Sequence, residues 1–232
     1  MPRHIAIVED EDGVRENYQQ ALEREGYTIS TYKNRAEAQE AFNNQLPDLA
    51  ILDIRLGNER DGGFTLCRFL RAKSDRLPII FLSGLGKDME RVSGMRLGAI
   101  DYMLKGTTTL DFLPVRVSAL FHYLDVFSKP TDNDNSLVSG QLTLYVDRME
   151  ITWDNTPIHF TLTEFMMIQA LVKRPGNPKS NDQLMQAANT YVSDNAVVAT
   201  ISRIRRKFKE VDPTFDCIQT VYGMGYRWVK SI

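Results

Sequence analysis

The chain has 232 residues, of which 43% are hydrophobic and 25% charged, and its formal net charge is −2. This composition is typical of a folded protein with one large or two ordinary domains, and it excludes a chain that is disordered throughout. No apolar run approaches the length that crosses a bilayer and the amino terminus lacks the apolar core of a signal peptide, so we expect a cytoplasmic protein without membrane insertion.

The first half alternates short apolar runs with segments of helical periodicity. The runs IAIV, LAIL and IIFL and the stretch AIDYML predict buried strands, and residues 27–32 predict a further strand. The predicted helices cover residues 13–25, 37–44, 64–72, 88–97 and about 112–126. Asp111 is the expected cap of the last helix. Five strand–helix units in succession predict an α/β domain with a flavodoxin-like, doubly wound sheet of five parallel strands.

The pattern changes after residues 128–136 (SKPTDNDNS), which are polar and predict a linker. Strands are predicted at residues 142–146, 150–153 and 156–160, helices at about 162–172, 181–188 and 195–210, and a closing hairpin at residues 217–229. A small sheet, three helices and a hairpin together predict an α+β winged helix-turn-helix domain. We therefore expect domains at residues 1–127 and 137–232.

Polar side chains follow four of the predicted strands: Glu9 and Asp10, then Asp53, Ser83 and Lys105. The carboxyl ends of parallel strands form one ligand-binding edge, so these side chains are expected to meet there. The Asp53 carboxylate can attack phosphorus, and clustered carboxylates suit Mg²⁺. The lysine would neutralise phosphoryl oxygens, and the serine would donate a hydrogen bond to them. Each residue alone is more often a cap or a surface group, so the prediction of a phosphoaspartate site depends on their joint occurrence.

A phosphatase or phosphotransferase could use the same nucleophile. Enzymes of the haloacid dehalogenase type place a second aspartate two residues after it, and that position here is Arg55. We therefore expect no enzyme turnover, only self-catalysed phosphoryl acceptance on Asp53 and slow autodephosphorylation.

Basic residues are concentrated in RIRRKFK, within a half that has 11 basic and 9 acidic side chains over residues 137–232. The surrounding helix has an apolar stripe that we expect to contain Val198, Ile201, Ile204 and Phe208. A basic helix preceded by a shorter one suits the major groove of double-stranded DNA. The basic side chains expected off the stripe are Arg203, Arg205, Arg206 and Lys207.

The motifs IVEDE, LDIRL, FLSG and DYMLKG together resemble the receiver domain of response regulators. With the YGMGYRW hairpin, the whole chain resembles the OmpR/PhoB-type regulators of two-component systems. The resemblance implies a sensor histidine kinase as the phosphoryl donor, a receiver homodimer after phosphorylation and DNA as the target, and it allows contact with RNA polymerase. The segments DNAVVATISRIRRKF and DCIQTVYGMGYRW also resemble regulators encoded beside dedicated sortase systems of proteobacteria.

The resemblance also implies residue roles. The Ser83 hydroxyl would move towards the phosphoryl group while the Tyr102 ring turns inward. The implied Mg²⁺ ligands are Asp10, Asp53 and the backbone carbonyl of Arg55, with Glu9 acting through water. The implied dimer contacts are Asp101, Arg116 and Arg91. The implied DNA contacts, besides the basic residues, are Asn195, Thr200, Ser202 and Tyr222.

Several positions depart from the family pattern. Gly106 follows the lysine where proline is usual, the loop GNERDGG is long, and Phe112 stands where an acidic dimer contact is typical. Long polar side chains are missing from parts of the predicted DNA face, which predicts an unusual operator and low non-specific affinity. Two alternatives stay open: a switch whose winged helix binds a protein instead of DNA, and a regulator that is active without phosphate.

Overall fold

The computed structural model describes residues 2–84, 88–105, 110, 112–127, 136–188, 190 and 193–230. The chain divides into two compact units, residues 1–121 and 122–232. Most of the predicted linker lies outside the described residues, as do Gly106 and the predicted cap Asp111, so the domain boundaries stay predictions. Among the described helices, none is long and apolar enough to span a membrane.

The first unit contains the predicted sheet of five parallel strands. Its order is β2-β1-β3-β4-β5, which is the flavodoxin-like arrangement. The three central strands are almost entirely buried because helices cover both faces of a doubly wound sheet. The strands are β1 (His4–Val8), β2 (Thr28–Tyr32), β3 (Leu49–Asp53), β4 (Ile79–Ser83) and β5 (Asp101–Leu104).

Five helices connect and cover these strands. Each begins or ends within about three residues of its predicted bound, which is the usual uncertainty of helix termini. The side chain of Asn34 caps the second helix by accepting the Glu37 backbone N–H at 2.9 Å. The helices are α1 (Asp12–Arg24), α2 (Arg35–Asn44), α3 (Gly62–Lys73), α4 (Asp88–Arg96) and α5 (Phe112–Phe127).

The second unit has the predicted winged-helix elements and one strand more. An antiparallel sheet of four strands precedes three helices and a two-stranded hairpin. Its first strand is not predicted from the sequence because Ser136 reads as the end of the polar linker. The elements are β6 (Ser136–Ser139), β7 (Leu142–Tyr145), β8 (Glu150–Trp153), β9 (Thr156–Ile158), α6 (Leu162–Val172), α7 (Asn181–Ala187), α8 (Asp194–Val211), β10 (Ile218–Val221) and β11 (Gly225–Trp228).

An aromatic cluster fixes α8 against the small sheet. The rings of Phe208 and Phe215 stack at 4.3 Å, and Trp153 meets the Phe215 ring edge-on at 5.1 Å. The helix buries Val197, and it leaves Val198 45% exposed. The predicted apolar stripe was therefore displaced at its first member, because two adjacent valines fit the helical period almost equally well.

Candidate functional site

Three carboxylates meet at the carboxyl edge of the parallel sheet. Glu9 and Asp10 follow β1, and Asp53 ends the neighbouring strand β3. Their ligand oxygens all lie within 4.8 Å of one another. Glu9 and Asp53 are buried, whereas Asp10 is more exposed. The structure thus brings together the predicted acidic group, at the point where the strand order reverses between β1 and β3.

Lys105 follows β5 and reaches across this edge to the acidic group. Its Nζ donates to Oε1 of Glu9 at 2.8 Å and to Oδ2 of Asp53 at 2.9 Å, and Oε1 of Glu11 lies at 3.9 Å. The ammonium therefore bridges the two buried carboxylates. The other Asp53 oxygen, Oδ1, accepts the Ile54 backbone N–H at 2.7 Å.

Burial and the hydrogen bonds of Lys105 dominate the ionisation of this group. Burial raises the pKa of Glu9 to about 7 despite the hydrogen bond from Lys105. Burial likewise raises the pKa of Asp53, and the lysine opposes that rise. Burial alone would lower the pKa of Lys105, but its hydrogen bonds to Glu9 and Asp53 outweigh it and leave the pKa raised. The lysine therefore stays charged, and this single ammonium lies among three clustered carboxyl groups.

The two predicted switch residues are in direct contact. Ser83 ends β4 at the same edge and is buried, and Tyr102 lies on the adjacent strand β5 with its ring also buried. The Tyr102 hydroxyl shares a hydrogen bond with Ser83 and lies 3.4 Å from Oε2 of Glu90. The guanidinium of Arg91 sits 5.5 Å from the centre of the Tyr102 ring.

Two residues that the sequence pattern does not single out position Asp53 and Glu9. A Cβ at Gly63 would lie 2.0 Å from the backbone oxygen of Asp53, so the start of α3 approaches the Asp53 backbone only because no side chain intervenes. Arg15 is buried on α1 and donates to the backbone oxygen of Glu9 at 2.8 Å. In the sequence, only the two adjacent glycines of GNERDGG indicated the close approach of Gly63 to the Asp53 backbone.

The long loop after β3 also contacts the acidic group and α2. The backbone N–H of Gly57 donates to Oδ2 of Asp10 at 3.1 Å. Arg35 of α2 binds Glu59 of the loop through Nε at 2.6 Å and Nη2 at 3.2 Å. Arg55, whose carbonyl is an expected metal ligand, begins this loop with its side chain exposed.

Asp101 and Arg116, predicted to pair across a dimer, form a buried ion pair within the chain. Nε of Arg116 donates to Oδ2 of Asp101 at 3.0 Å, and Nη2 binds the same oxygen. Because each charge already has a partner in the single chain, a dimer that uses them must rearrange this pair. Their role in a dimer, together with that of Arg91, stays a prediction.

The exposed face of α8 differs from the predicted DNA face. Thr200 is fully buried and its hydroxyl donates to the Ala196 carbonyl at 2.9 Å, so the prediction that it contacts DNA is wrong. Asn195 and Ser202 are exposed, and their contact with DNA stays a prediction. Arg206 is the exposed arginine of the basic run, with 70% of its side chain accessible and Glu210 at 3.7 Å.

The other basic residues of the run bind groups within the protein. Arg203 binds Oε1 of Glu164, and only 11% of its side chain is exposed. Nζ of Lys207 donates to Oε2 of Glu164 at 2.9 Å and to the His159 carbonyl at 2.8 Å. Glu164 is fully buried, and burial raises its pKa less than the two cations lower it, so the net shift is downward. The structure therefore pairs Arg203 and Lys207 with a buried carboxylate of the same domain and leaves only a small part of each side chain exposed.

Arg205 links α8 to the hairpin of β10 and β11. Its Nε and Nη2 donate to the Ile218 carbonyl at 3.0 and 2.8 Å, and Nη2 also donates to Thr220 Oγ1 at 3.0 Å. Tyr222, predicted as a DNA contact, stands at the hairpin turn with 95% of its surface exposed. The predicted DNA residues that the structure exposes most are thus Asn195, Ser202, Arg206 and Tyr222.

Family models match both units. Residues 5–113 match the response regulator receiver domain, and residues 155–228 match the C-terminal domain of transcriptional regulatory proteins. Among curated relatives, the transcriptional regulatory protein CreB of Escherichia coli K12 is 32% identical over 96% of both chains. The TorCAD operon transcriptional regulatory protein TorR of the same strain is 33% identical over 97% of both chains.

Solved structures support the fold. A RitR mutant carrying C128S superposes with a TM-score of 0.75 at 20% identity, covering 99% of this chain and 100% of that one. At this identity the likeness concerns the fold alone. Together with the family matches over both units, it leads to one conclusion: the chain belongs to the two-component response regulators that join a receiver domain to a DNA-binding transcriptional regulatory domain.

Proposed function

We propose that Asp53 accepts a phosphoryl group from a sensor histidine kinase. The observation that carries this proposal is the contact of Lys105 with Asp53 at 2.9 Å, beside Glu9 and Asp10 at the same strand ends. A carboxylate oxygen of Asp53 forms the new P–O bond as the P–N bond to the kinase histidine breaks, and the histidine nitrogen takes the electron pair. The ammonium lies where it can neutralise charge on the transferred group. The chain accepts and slowly loses this group without enzyme turnover.

The acidic group fits a magnesium ion because three carboxyl groups offer clustered oxygen donors, which are the ligands that magnesium prefers. Asp10, Asp53 and the backbone carbonyl of Arg55 would hold the ion, with Glu9 acting through water. When bound, the ion supplies positive charge against the phosphoryl oxygens. The Gly57 N–H donates a hydrogen bond to Oδ2 of Asp10, which keeps this carboxylate at the site.

Phosphorylation reaches the rest of the receiver through Ser83 and Tyr102. In our proposal the Ser83 hydroxyl leaves Tyr102 and donates to a phosphoryl oxygen of Asp53. The tyrosine then loses one of its hydrogen-bond partners, and its contacts with Glu90 and Arg91 on α4 rearrange. This change favours a receiver homodimer whose contacts include Asp101, Arg116 and Arg91.

We propose that double-stranded DNA binds the exposed face of α8 and the hairpin turn through Asn195, Ser202, Arg206 and Tyr222. Arg206 has the charge and reach for a phosphate or a guanine edge, and the shorter polar groups hydrogen-bond base edges or phosphates. The site of action is the cytoplasm, and RNA polymerase is a further partner. Control of a surface-protein sorting locus stays a prediction.

Phosphate-affinity electrophoresis with acetyl phosphate and Mg²⁺ tests the phosphoryl site. We expect a retarded band for the wild type and for Asp48→Asn, and none for Asp53→Asn. Asp48 is a matched control because it precedes β3 at the opposite edge of the sheet, where it binds Arg3 and the His4 backbone. A retarded band for Asp53→Asn would assign the phosphoryl group to another residue, and EDTA should abolish retardation in every case.

Sequencing of genomic DNA captured by the Mg²⁺–beryllofluoride form tests the DNA target. We expect enrichment of a few promoter fragments, which would also show whether a sorting locus is among them. Failure of every promoter fragment at low salt would favour the alternative in which the winged helix binds a protein. Enrichment that is identical without beryllofluoride would favour a regulator active without phosphate.

A further inference from the structure

The turn of the β10–β11 hairpin presents two apolar side chains to solvent. Tyr222 is 95% exposed and Met224 is 62% exposed. From Thr220 to Tyr226 the sequence contains no charged residue. The turn therefore has no group that neutralises a phosphate, although it lies at the end of the domain's proposed DNA surface. Its chemistry is that of an apolar contact.

The turn is held rigidly by the segment before α7. The Lys179 N–H donates to the Tyr226 carbonyl at 2.7 Å, and the Tyr226 N–H donates back to the Lys179 carbonyl at 2.9 Å. A Cβ at Gly225 would lie 2.1 Å from that same Lys179 oxygen, and φ there is +109°. Only glycine permits this approach. Because the base of the turn is fixed, Tyr222 and Met224 are presented at a defined place.

The hairpin is also fixed beside the exposed face of α8. Arg205 binds the Ile218 carbonyl and the Thr220 hydroxyl of β10, and its guanidinium lies 5.5 Å from the centre of the Tyr226 ring. The α8 arginine that reaches the hairpin thus joins helix and hairpin through these contacts. A duplex bound along α8 through Arg206 would lie beside this hairpin, whose turn exposes Tyr222 and Met224.

We propose that Tyr222 and Met224 form a wedge that enters the minor groove at one base-pair step, opens that step and bends the duplex. This inference rests on the proposed DNA binding by α8. Apolar side chains that enter between base pairs are a general means of kinking DNA from the minor groove. Pyrimidine–purine steps unstack most readily, so the wedge selects a TA or CA/TG step at a fixed distance from the bases that α8 contacts. The turn then recognises a base-pair step that unstacks easily, and it does not depend on a charged contact with a phosphate.

The test uses the full-length chain, with Mg²⁺ and beryllofluoride, on duplexes enriched from a random library by the wild type. Bending is measured by energy transfer between dyes at the duplex ends, and opening of the step by 2-aminopurine fluorescence. We expect the wild type to bend the duplex by about 20° or more and to raise the fluorescence at one step. Tyr222→Ala/Met224→Ala should abolish both signals and weaken binding by about tenfold or more.

Two further variants isolate the mechanism. Tyr222→Arg/Met224→Ala should recover affinity with a steeper salt dependence, by about 0.9 in the logarithmic slope for one new phosphate contact, but it should not recover bending. Val138→Ala changes an exposed valine of β6 and should match the wild type in every readout. Circular dichroism melting confirms that the variants are folded.

The outcomes separate the wedge from the DNA-binding function. Tight binding with an unbent duplex, or bending that survives Tyr222→Ala/Met224→Ala, would overturn the wedge and leave DNA binding intact. Failure of the wild type to enrich any duplex from the library would overturn both. Tyr222→Ala/Met224→Ala could also lose affinity only for duplexes that contain two binding sites and not for duplexes that contain one. That result would assign the turn to contact between two copies of the chain, against our proposal.

Discussion

Replacement of Glu164 separates two interactions that one buried carboxylate makes. Its Oε2 accepts the Thr161 backbone N–H at 2.7 Å and completes a capping box at the start of α6. The same carboxylate binds Arg203 and Lys207 of α8. Glutamine preserves the capping box, since the motif accepts either residue, but it removes the charge. Alanine removes both.

Removing one partner from a buried ion pair costs about 3–5 kcal/mol. Lys207 retains some solvent access, so we expect Glu164→Gln to lose about 3 kcal/mol, at the lower end of that range. Glu164→Ala should lose about 1 kcal/mol more, because the cap is also lost. In a domain of this size, each kcal/mol corresponds to about 4–8 °C in Tm. The glutamine variant should therefore melt about 12–24 °C below the wild type.

Tryptophan fluorescence during urea unfolding measures this effect in the second unit. The chain has two tryptophans, and both, Trp153 and Trp228, belong to the aromatic core of that unit. Glu210→Gln is the control: its ion pair with Arg206 is exposed, so the expected change is below about 0.5 kcal/mol. If Glu164→Gln stayed within that margin of the wild type, the buried carboxylate would not be holding α8, and the reasoning from burial would be refuted.

The same carboxylate makes a prediction about acid stability. The pKa of folded Glu164 lies below its ordinary value because the two cations outweigh the effect of burial. The charge therefore contributes stability that is fully present above the unfolded pKa of 4.5, and that is lost as the pH falls through the folded pKa. We expect the stability of the wild type to fall more steeply below about pH 4.5 than that of Glu164→Gln. Parallel curves would contradict this assignment.

Two further predictions concern single positions on each unit. Arg206→Ala should weaken DNA binding by about 1–3 kcal/mol if the guanidinium reads a base, or lower the salt slope by about 0.9 if it binds a phosphate, with Tm unchanged. Anisotropy titrations over a range of salt concentrations measure both, and unaltered binding would remove the side chain from the interface. Gly63→Ala should destabilise the first unit by about 1–3 kcal/mol and slow phosphorylation, because its Cβ displaces the Asp53 backbone. Calorimetry measures the stability of Gly63→Ala, and labelling with acetyl phosphate measures its phosphorylation. The control is Gly13→Ala, whose Cβ meets no atom within 4 Å and which should be neutral or slightly stabilising. Equal stability of the two variants would mean that the close contact at residue 63 relaxes without a cost in free energy.

The cluster proposed as the phosphoryl site was predictable from sequence because every member is tied to the end of a strand. Four apolar runs of similar length, each followed by a polar residue, define a parallel sheet, and the carboxyl ends of such strands meet at one edge. Knowledge of strand order was not needed to expect Glu9, Asp53, Ser83 and Lys105 together. Because all five strands run in the same direction, their carboxyl ends and the residues that follow them lie at the same edge of the sheet.

The proposed DNA face was predictable only as a helix and not as a set of side chains. Helical periodicity places the basic run on α8, but it does not say which arginine faces a buried acid. Glu164 lies 39 residues before Arg203 and reads as an ordinary capping residue, yet in the folded domain it also binds two of the run's four predicted contacts. A buried charge requires a counter-charge, and tertiary packing determines which distant segment of the chain supplies it.

Local sequence therefore determined the elements other than β6, their succession along the chain and the chemistry at the strand ends, since these follow from periodicity and chain direction. Tertiary structure alone decided which face of α8 is open, why residue 63 must be glycine and how the hairpin turn is fixed. Each of these depends on contact between segments far apart in the chain, where a backbone oxygen or a carboxylate occupies space that no local pattern records.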